Sequence, residues 1–330
     1  MRSGMPLTAA LLTLLLVLSL ASLTIGYAPL TPVEVVAGLL GIGTEEQRLI
    51  VQQIRLPRVV LAWLVGIALG ASGAALQGLL RNPLAEPGLL GISSSAALGA
   101  VLTLYFGASA LGSWILPGAA MLFALLATLA LYLLTRAGAS NLTLILAGVA
   151  LSSLAASLTS LALNLAPSPA AVQDIVLWLL GSISDRSFDD VLLCLPFVLL
   201  GLVLLLATAP SLDLLSLGEG EARSLGADLG RLRVLIVGGS ALGVGSTVAV
   251  TGAIGFVGLV VPHLLRRFVD YRPGRLLLPS ALGGAVLVLG ADIALRLLDT
   301  PRELNLGVVT ALVGAPFFLA LVIRSRRDML

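Results

Sequence analysis

Long apolar runs recur from one end of this 330-residue chain to the other. About 20 apolar residues in a helix span a bilayer, so such runs are typical of membrane-spanning segments. Only 11% of the residues are charged, against roughly 25% in soluble domains, which excludes a disordered chain and disfavours a soluble enzyme. We therefore predict an all-α polytopic membrane protein with about ten transmembrane helices. The predicted spans are residues 7–25, 59–80, 95–106, 116–134, 142–163, 191–209, 234–251, 254–268, 276–297 and 306–323.

Three residue types, of which one is absent and two occur only once, exclude several kinds of site. All 19 basic residues are arginine, so the chain lacks the lysine that a phosphate-binding P-loop or a Schiff base requires. Cys194 is the only cysteine and His263 the only histidine, which excludes multi-cysteine and multi-histidine metal centres. We predict no catalytic residue and no metal site in this chain, and the formal charge of +2 gives no indication of nucleic-acid binding.

The arginines also predict an orientation in the membrane. With the N-terminus inside, 13 of the 19 arginines fall in cytoplasmic segments, in keeping with the positive-inside rule. Ten spans then place both termini in the cytoplasm. The segments between spans are short, about 30 residues at most around residues 27–58, 164–190 and 210–233, so residues 1–330 are predicted to form one permease domain.

Two predicted cytoplasmic segments have unusual composition. Residues 81–88 contain Pro83 and Pro87, which interrupt helical structure and favour a shaped turn over a plain polar hairpin. Residues 214–233 carry several charges, and we predict that Gly218, Gly220, Gly226 and Gly230 break them into short pieces. We expect short helices there that form a docking element, with a solvated loop as the alternative.

Charged residues near the outer ends of two spans share helix faces. Asp292 and Arg296 are four residues apart, and Arg55 and Arg58 are three apart. Charges at membrane depth indicate a partner or a water-filled path. A local ion pair and a solvated interfacial anchor are the simpler alternatives.

Five stretches, residues 53–100, 144–151, 217–229, 252–266 and 304–318, closely resemble the FecCD family of permeases. The third reads LGEGEARSLGADL and the fourth GAIGFVGLVVPHLLR. These permeases are the membrane subunits of type II ABC importers for iron–siderophores, haem and cobalamin, and the cobalamin permease of enteric bacteria is a similar protein. The resemblance covers nearly the whole chain. It implies the type II importer fold, a homodimer in the bacterial inner membrane, two copies of a separate ABC ATPase and a periplasmic binding protein.

The resemblance also implies roles for particular residues. Arg55, Arg58 and Arg296 match outer arginines that dock the binding protein. Asn82 and Leu84 match gate positions, and Asn141 and Leu142 fall at a second gate position where the family relative has two small hydroxyl residues. Coupling helices at about residues 214–233 would contact the ATPase, where ATP and Mg²⁺ bind. The implied coupling residues are Leu217, Gly218, Glu219, Glu221, Ala222, Arg223, Leu225 and Gly226.

The sequence leaves the cargo open. An iron chelate of the siderophore type is our first prediction, because the chain has no cluster of His, Cys or Met to bind a bare metal ion. Cobalamin and haem are alternatives under the same mechanism. A secondary transporter driven by protons or sodium would need an intramembrane carboxylate, for which Asp292 is the only candidate. A membrane enzyme is disfavoured because no nucleophile with a base and no paired carboxylates are found.

Overall fold

A computed structural model describes residues 4–26, 28–135, 141–298 and 304–327. The described chain folds into fifteen α-helices, joined by short 3₁₀ turns and one π-helical stretch, Ile50–Arg55. The α-helices are, in chain order, α1 Gly4–Thr24, α2 Pro32–Leu40, α3 Glu45–Leu49, α4 Leu56–Leu80, α5 Ile92–Tyr105, α6 Ile115–Thr135, α7 Asn141–Asn164, α8 Pro169–Leu179, α9 Phe188–Leu206, α10 Ala209–Leu215, α11 Glu219–Ser224, α12 Leu229–Thr251, α13 Val257–Leu265, α14 Pro273–Leu297 and α15 Leu306–Arg327.

Three helices, α4, α12 and α14, form the buried centre of the bundle. Their most apolar windows are 72–83% buried, whereas those of α1, α6, α7 and α9 are 22–28% buried. The outer helices nevertheless expose many leucines. An apolar face of this kind is stable in lipid but not in water. The bundle therefore has a core of helix–helix contacts and an apolar outer surface that is suited to contact with lipid acyl chains.

Small residues permit the central contact between α4 and α14. A Cβ atom built on Gly284 would lie 2.0 Å from the backbone oxygen of Gly66, and one built on Gly66 would lie 2.3 Å from the nitrogen of Ala285. Only glycine allows two helix backbones to approach this closely. The small residues of these two helices therefore serve in helix packing.

Each of the ten predicted spans contains a helix, and the all-α prediction is confirmed. Within the described residues, seven helical segments are long and apolar enough to cross a membrane, including residues 45–80, where α3, the π-helical stretch and α4 run on continuously. Helices α5 and α8 are shorter apolar helices, as is the Leu306–Ala320 part of α15. Helix α13 has only nine residues and spans about 14 Å, so it begins well inside the bundle.

The structure corrects two of the predicted extramembrane segments. Val51 and Arg55 are buried, so the second half of residues 27–58 belongs to the bundle rather than to a soluble loop. Residues 164–190 contain α8, which Ser168 caps by accepting a hydrogen bond from Ala171 N. The apolar-run argument missed both because α3 is polar and α8 has only eleven residues, so neither gives a 20-residue apolar run.

Cys194 lies on α9 and is fully buried. Its Sγ is 3.6 Å from the carbonyl oxygen of Val191, one turn earlier. Cys194 therefore serves as a small buried apolar residue of the bundle.

Candidate functional sites at the two ends of the bundle

Three arginines converge where α1 ends, α4 begins and α14 ends. Arg55 donates from Nη1 to the carbonyl oxygens of Leu23 at 2.6 Å and Thr24 at 2.9 Å, and from Nη2 to that of Ala28. Leu23 and Thr24 are the last two residues of α1, and Ala28 follows the helix. At a helix C-terminus the backbone carbonyls lack helical partners, and the helix dipole favours a cation. Arg55 thus acts as a side-chain cap for α1.

Asp292 is the centre of the same cluster and is 1% exposed. Its Oδ1 lies 2.9 Å from both Nε and Nη2 of Arg58, and its Oδ2 lies 2.9 Å from Nη2 of Arg296. Arg296 also donates to the carbonyl oxygens of Ser22 and Ile25. A single buried carboxylate therefore joins α4 and α14, and through Arg296 it also reaches α1.

This arrangement decides between alternatives left open by the sequence. The Asp292–Arg296 ion pair exists, and Arg58 joins it from another helix. The side chains of Arg55, Arg58 and Arg296 are mostly buried, and Arg58 is the most accessible of the three at 15%. Three guanidinium groups and one carboxylate leave a formal charge of +2 in this cluster, which we call the outer arginine cluster. The docking role of these arginines stays a prediction.

The predicted turn after α4 is present. Arg81 ends α4 with a left-handed backbone (φ 49°), and the side-chain oxygen of Asn82 accepts a hydrogen bond from Leu84 N at 2.9 Å. A 3₁₀ turn, Pro87–Leu90, follows. Asn82 and Leu84 are half-buried, so the segment is a shaped turn rather than a plain solvated hairpin.

Helix α7 packs directly on this turn. Asn141, its first residue, donates from Nδ2 to the carbonyl oxygen of Leu79 in the last turn of α4 at 3.1 Å, while the Leu142 side chain is 63% exposed. A Cβ atom built on Gly148 of α7 would lie 2.1 Å from the carbonyl oxygen of Leu89. Asn141 is therefore joined to the last turn of α4, which precedes Asn82 and Leu84, and the gating role of all four residues stays a prediction.

Residues 214–233 form short helices at the same end of the bundle as the last turn of α6. Gly218 (φ 124°) and Gly226 (φ 88°) adopt backbone angles that other residues rarely adopt, and they separate α10, α11 and α12. Two predicted breaks are wrong: Gly220 lies inside α11 and Gly230 inside α12. Since α12 begins at Leu229, residues 229–233 belong to a spanning helix, and the separate element ends at Asp228, which caps α12.

The apolar residues of this element divide into two sets. Ala222 is fully buried and fixes α11 to the bundle, whereas Leu217 and Leu225 are 60% and 59% exposed. Glu219 lies 3.9 Å from both Arg223 and Arg233. The exposed surface therefore presents two leucines beside charged side chains, a combination found in protein interfaces.

Among the described residues, no group of three or more His, Cys, Asp or Glu side chains is placed to hold a metal ion. His263 lies at the end of α13 with its ring 5.9 Å from that of Phe317. Next to it, Arg266 donates to Gln77 Oε1 at 2.5 Å, and Gln77 donates to carbonyls of α13.

Sequence reasoning missed several polar partners. The clamp between Gln77 and Arg266 joins α4 to α13, and Ser22 accepts from Arg296. A glutamine or serine within an apolar run is the only signal that a sequence offers for such partners. It does not say which distant residue they contact.

The comparisons with known proteins agree with this architecture. Residues 14–324 match the model of the FecCD transport family. The Fe(3+)-citrate import system permease YfmE of Bacillus subtilis is 38% identical over 96% of this chain and 95% of its own length. The vitamin B12 import system permease BtuC of Klebsiella pneumoniae is 41% identical over 84% of each chain. A solved metal-chelate type ABC transporter in an inward-facing conformation superposes with a TM-score of 0.85, at 34% identity over 97% of this chain and 99% of its own.

These similarities also resolve the choice of function class. A transport permease is not an enzyme, and an ABC importer is not driven by an ion gradient, so the alternative built on Asp292 as an ion-coupling carboxylate is wrong. Asp292 instead serves as the counter-ion of two arginines. The match over residues 14–324 shows that the chain belongs to the FecCD transport family, as a multi-pass permease subunit of an ABC importer, and its helical bundle with an apolar surface agrees with this.

Proposed function

We propose that this permease moves an iron chelate of the siderophore class across the bacterial inner membrane, as a homodimer with two copies of an ABC ATPase. A periplasmic binding protein would deliver the chelate at the outer arginine cluster. ATP and Mg²⁺ would bind only in the ATPase. Both termini would lie in the cytoplasm. Arg2, Arg136 and Arg302, which contribute to that orientation, lie outside the described residues, as do the side chains of Arg324, Arg326 and Arg327.

We base the choice of cargo on how much of this chain aligns with relatives that are named for different cargoes. The relative named for iron citrate aligns over 96% of this chain, and the solved metal-chelate transporter over 97%. The relative named for vitamin B12 aligns over 84%. Cobalamin is therefore the second candidate, with haem, under the same mechanism.

Transport in a reconstituted system tests this function. The tagged chain is purified from native membranes in mild detergent, and co-purifying proteins are identified by mass spectrometry. We expect a stoichiometric ATPase with a P-loop. The complex is then placed in liposomes with its binding protein and supplied with ferric siderophore, haem or cobalamin. ATP-dependent uptake of haem or cobalamin in preference to the siderophore would overturn the cargo, and purification of an active chain alone would overturn the partners.

The exposed leucines on either side of α11, Leu217 and Leu225, are expected to contact the ATPase. We predict that Leu217→Glu combined with Leu225→Glu reduces ATPase co-purification at least about tenfold, because an interface loses two apolar contacts and gains two buried charges. Both side chains are exposed in this chain, so the variant should fold. Leu111→Glu, at a residue that is 79% exposed in a 3₁₀ turn between α5 and α6, is the matched control and should retain the ATPase.

Arg58 is expected to be the main docking contact of the outer arginine cluster. Arg58→Gln leaves Asp292 paired with Arg296 and removes the most accessible positive charge. We predict about tenfold weaker binding of the binding protein, chiefly through slower association and with a reduced dependence on salt. Surface plasmon resonance at two salt concentrations measures both. Arg48→Gln, an exposed arginine of α3, serves as the control, and an equal loss in both variants would contradict the assignment.

A further inference from the structure

A groove of about 540 Å³ lies between α6 and α12, beside α11. Helix α12 contributes Gly230, Arg233, Val234, Val237 and Gly238. Their spacing is that of one helix face, so the groove follows α12 over about 12 Å. This is most of the thickness of one leaflet's hydrocarbon, roughly 15 Å.

The two ends of the groove differ in chemistry. Leu125 and Leu129 of α6 form the wall of the deeper part, and both side chains are exposed. Nearer the end of the bundle that carries α11, the lining includes Tyr132, Arg223 and Arg233. The groove is thus amphipathic along its length, with an apolar interior and a cationic, hydroxyl-bearing mouth.

The charge at the mouth is not balanced by its nearest carboxylate. Arg223 and Arg233 each lie 3.9 Å from the same group, Glu219. Two guanidiniums sharing one carboxylate leave one positive charge for these three side chains. Arginine side chains form charge-assisted hydrogen bonds to phosphate oxygens at about 2.7–2.9 Å.

We propose that this groove binds one anionic phospholipid, with its phosphate between Arg223 and Arg233 and an acyl chain along Gly238 and the α6 leucines. Arginine matches phosphate geometry, and basic pockets between helices at the cytoplasmic surface are suited to anionic headgroups. The apolar part of the groove is lined by exposed leucines of α6, and an acyl chain of a membrane lipid would cover them. The bound headgroup would lie against α11, so the lipid would brace the element that we expect to contact the ATPase.

The glycines of α12 make room for the acyl chain. A Cβ atom built on Gly238 has no heavy atom within 4 Å. The position is helical and open, so a larger side chain fits there without disturbing the protein. Gly238→Leu therefore fills the groove while leaving both arginines in place.

Lipid binding by the delipidated chain in detergent micelles tests the proposal. Dioleoyl phosphatidylglycerol or dioleoyl phosphatidylcholine is added, and native mass spectrometry counts the bound molecules. We expect one tightly held phosphatidylglycerol per chain, with at least about tenfold preference over phosphatidylcholine. Arg223→Gln with Arg233→Gln should weaken phosphatidylglycerol binding about 30-fold, by roughly fivefold for each arginine.

Matched variants separate the groove from general effects. Gly238→Leu should abolish the tight site, whereas Gly118→Leu, at an open and exposed position near the other end of α6, should keep it. Arg231→Gln removes an exposed arginine two residues from Arg233 that does not line the groove, and should also keep it. Equal binding of the two lipids would overturn the proposal, as would retention of the tight site in Gly238→Leu. Chain dimers or ATPase complexes that exclude phosphatidylglycerol would overturn it too, since another protein would then fill the groove.

Discussion

Replacing Asp292 by alanine is expected to lower the free energy of unfolding by about 3–5 kcal/mol, the usual cost of removing one partner of a buried ion pair. Asp292 is 1% exposed and lies 2.9 Å from nitrogen atoms of Arg58 and Arg296. Without it, the two guanidiniums remain near each other in a buried site and lose the carboxylate that they share. Titration with sodium dodecyl sulfate in mixed micelles, followed by circular dichroism, measures the change.

Two further variants identify the cause of that loss. Adding Arg58→Met to Asp292→Ala should restore part of the stability, because it removes one of the two guanidiniums that shared the lost carboxylate and keeps much of the side-chain volume. Asp174→Ala, at an exposed acidic residue of α8, should change the stability by less than about 0.5 kcal/mol. If Asp292→Ala behaved like Asp174→Ala, the cluster would not be a structural centre of this fold.

The second large effect concerns the contact between α4 and α14. We expect Gly284→Ala to destabilise the protein by about 1–3 kcal/mol and to reduce transport, because its new methyl group would lie 2.0 Å from the backbone oxygen of Gly66. A backbone oxygen cannot rotate away as a side chain can, so the two helices must separate. The same titration and the uptake assay measure both consequences.

Helix α14 provides its own control for this prediction. The nearest atom to a Cβ built on Gly290 is Leu18 Cδ1 at 4.0 Å, which is an ordinary contact. Gly290→Ala should therefore be neutral or should stabilise the helix by up to about 1 kcal/mol, since alanine is the better helix former. Equal destabilisation by both substitutions would show that helix propensity or lipid contact, rather than close packing, decides the outcome.

The helices could be located from the sequence because the bilayer imposes a length on each apolar run. Helix α13 was found in this way although it has nine residues, since the apolar run begins before it, at residues 252–256. Helix α8 was missed because its eleven residues are too few to give an apolar run of membrane length. Gly220 and Gly230 were predicted as breaks, but a glycine interrupts a helix only where the chain needs a positive φ, and a single sequence does not show where that is.

The candidate sites show a similar division. Spacing alone placed Asp292 and Arg296 on one face, and the structure confirms their pairing. Spacing did not predict that Arg55 caps α1 or that Arg58 reaches Asp292, which is 234 residues away in the chain. Contacts of this kind depend on which helices become neighbours, and apolar periodicity contains no information on neighbours.

The burial of Cys194 makes this chain a convenient starting point for spectroscopic labelling. The sole native thiol is fully enclosed by its helix neighbours, so maleimide reagents should react with it slowly. A cysteine introduced at Leu217 or Leu111, both exposed, would then carry almost all of the probe without prior removal of Cys194. Paired fluorophores or spin labels at the two ends of the bundle would thus report on opening and closing in a protein whose interior sequence is unaltered.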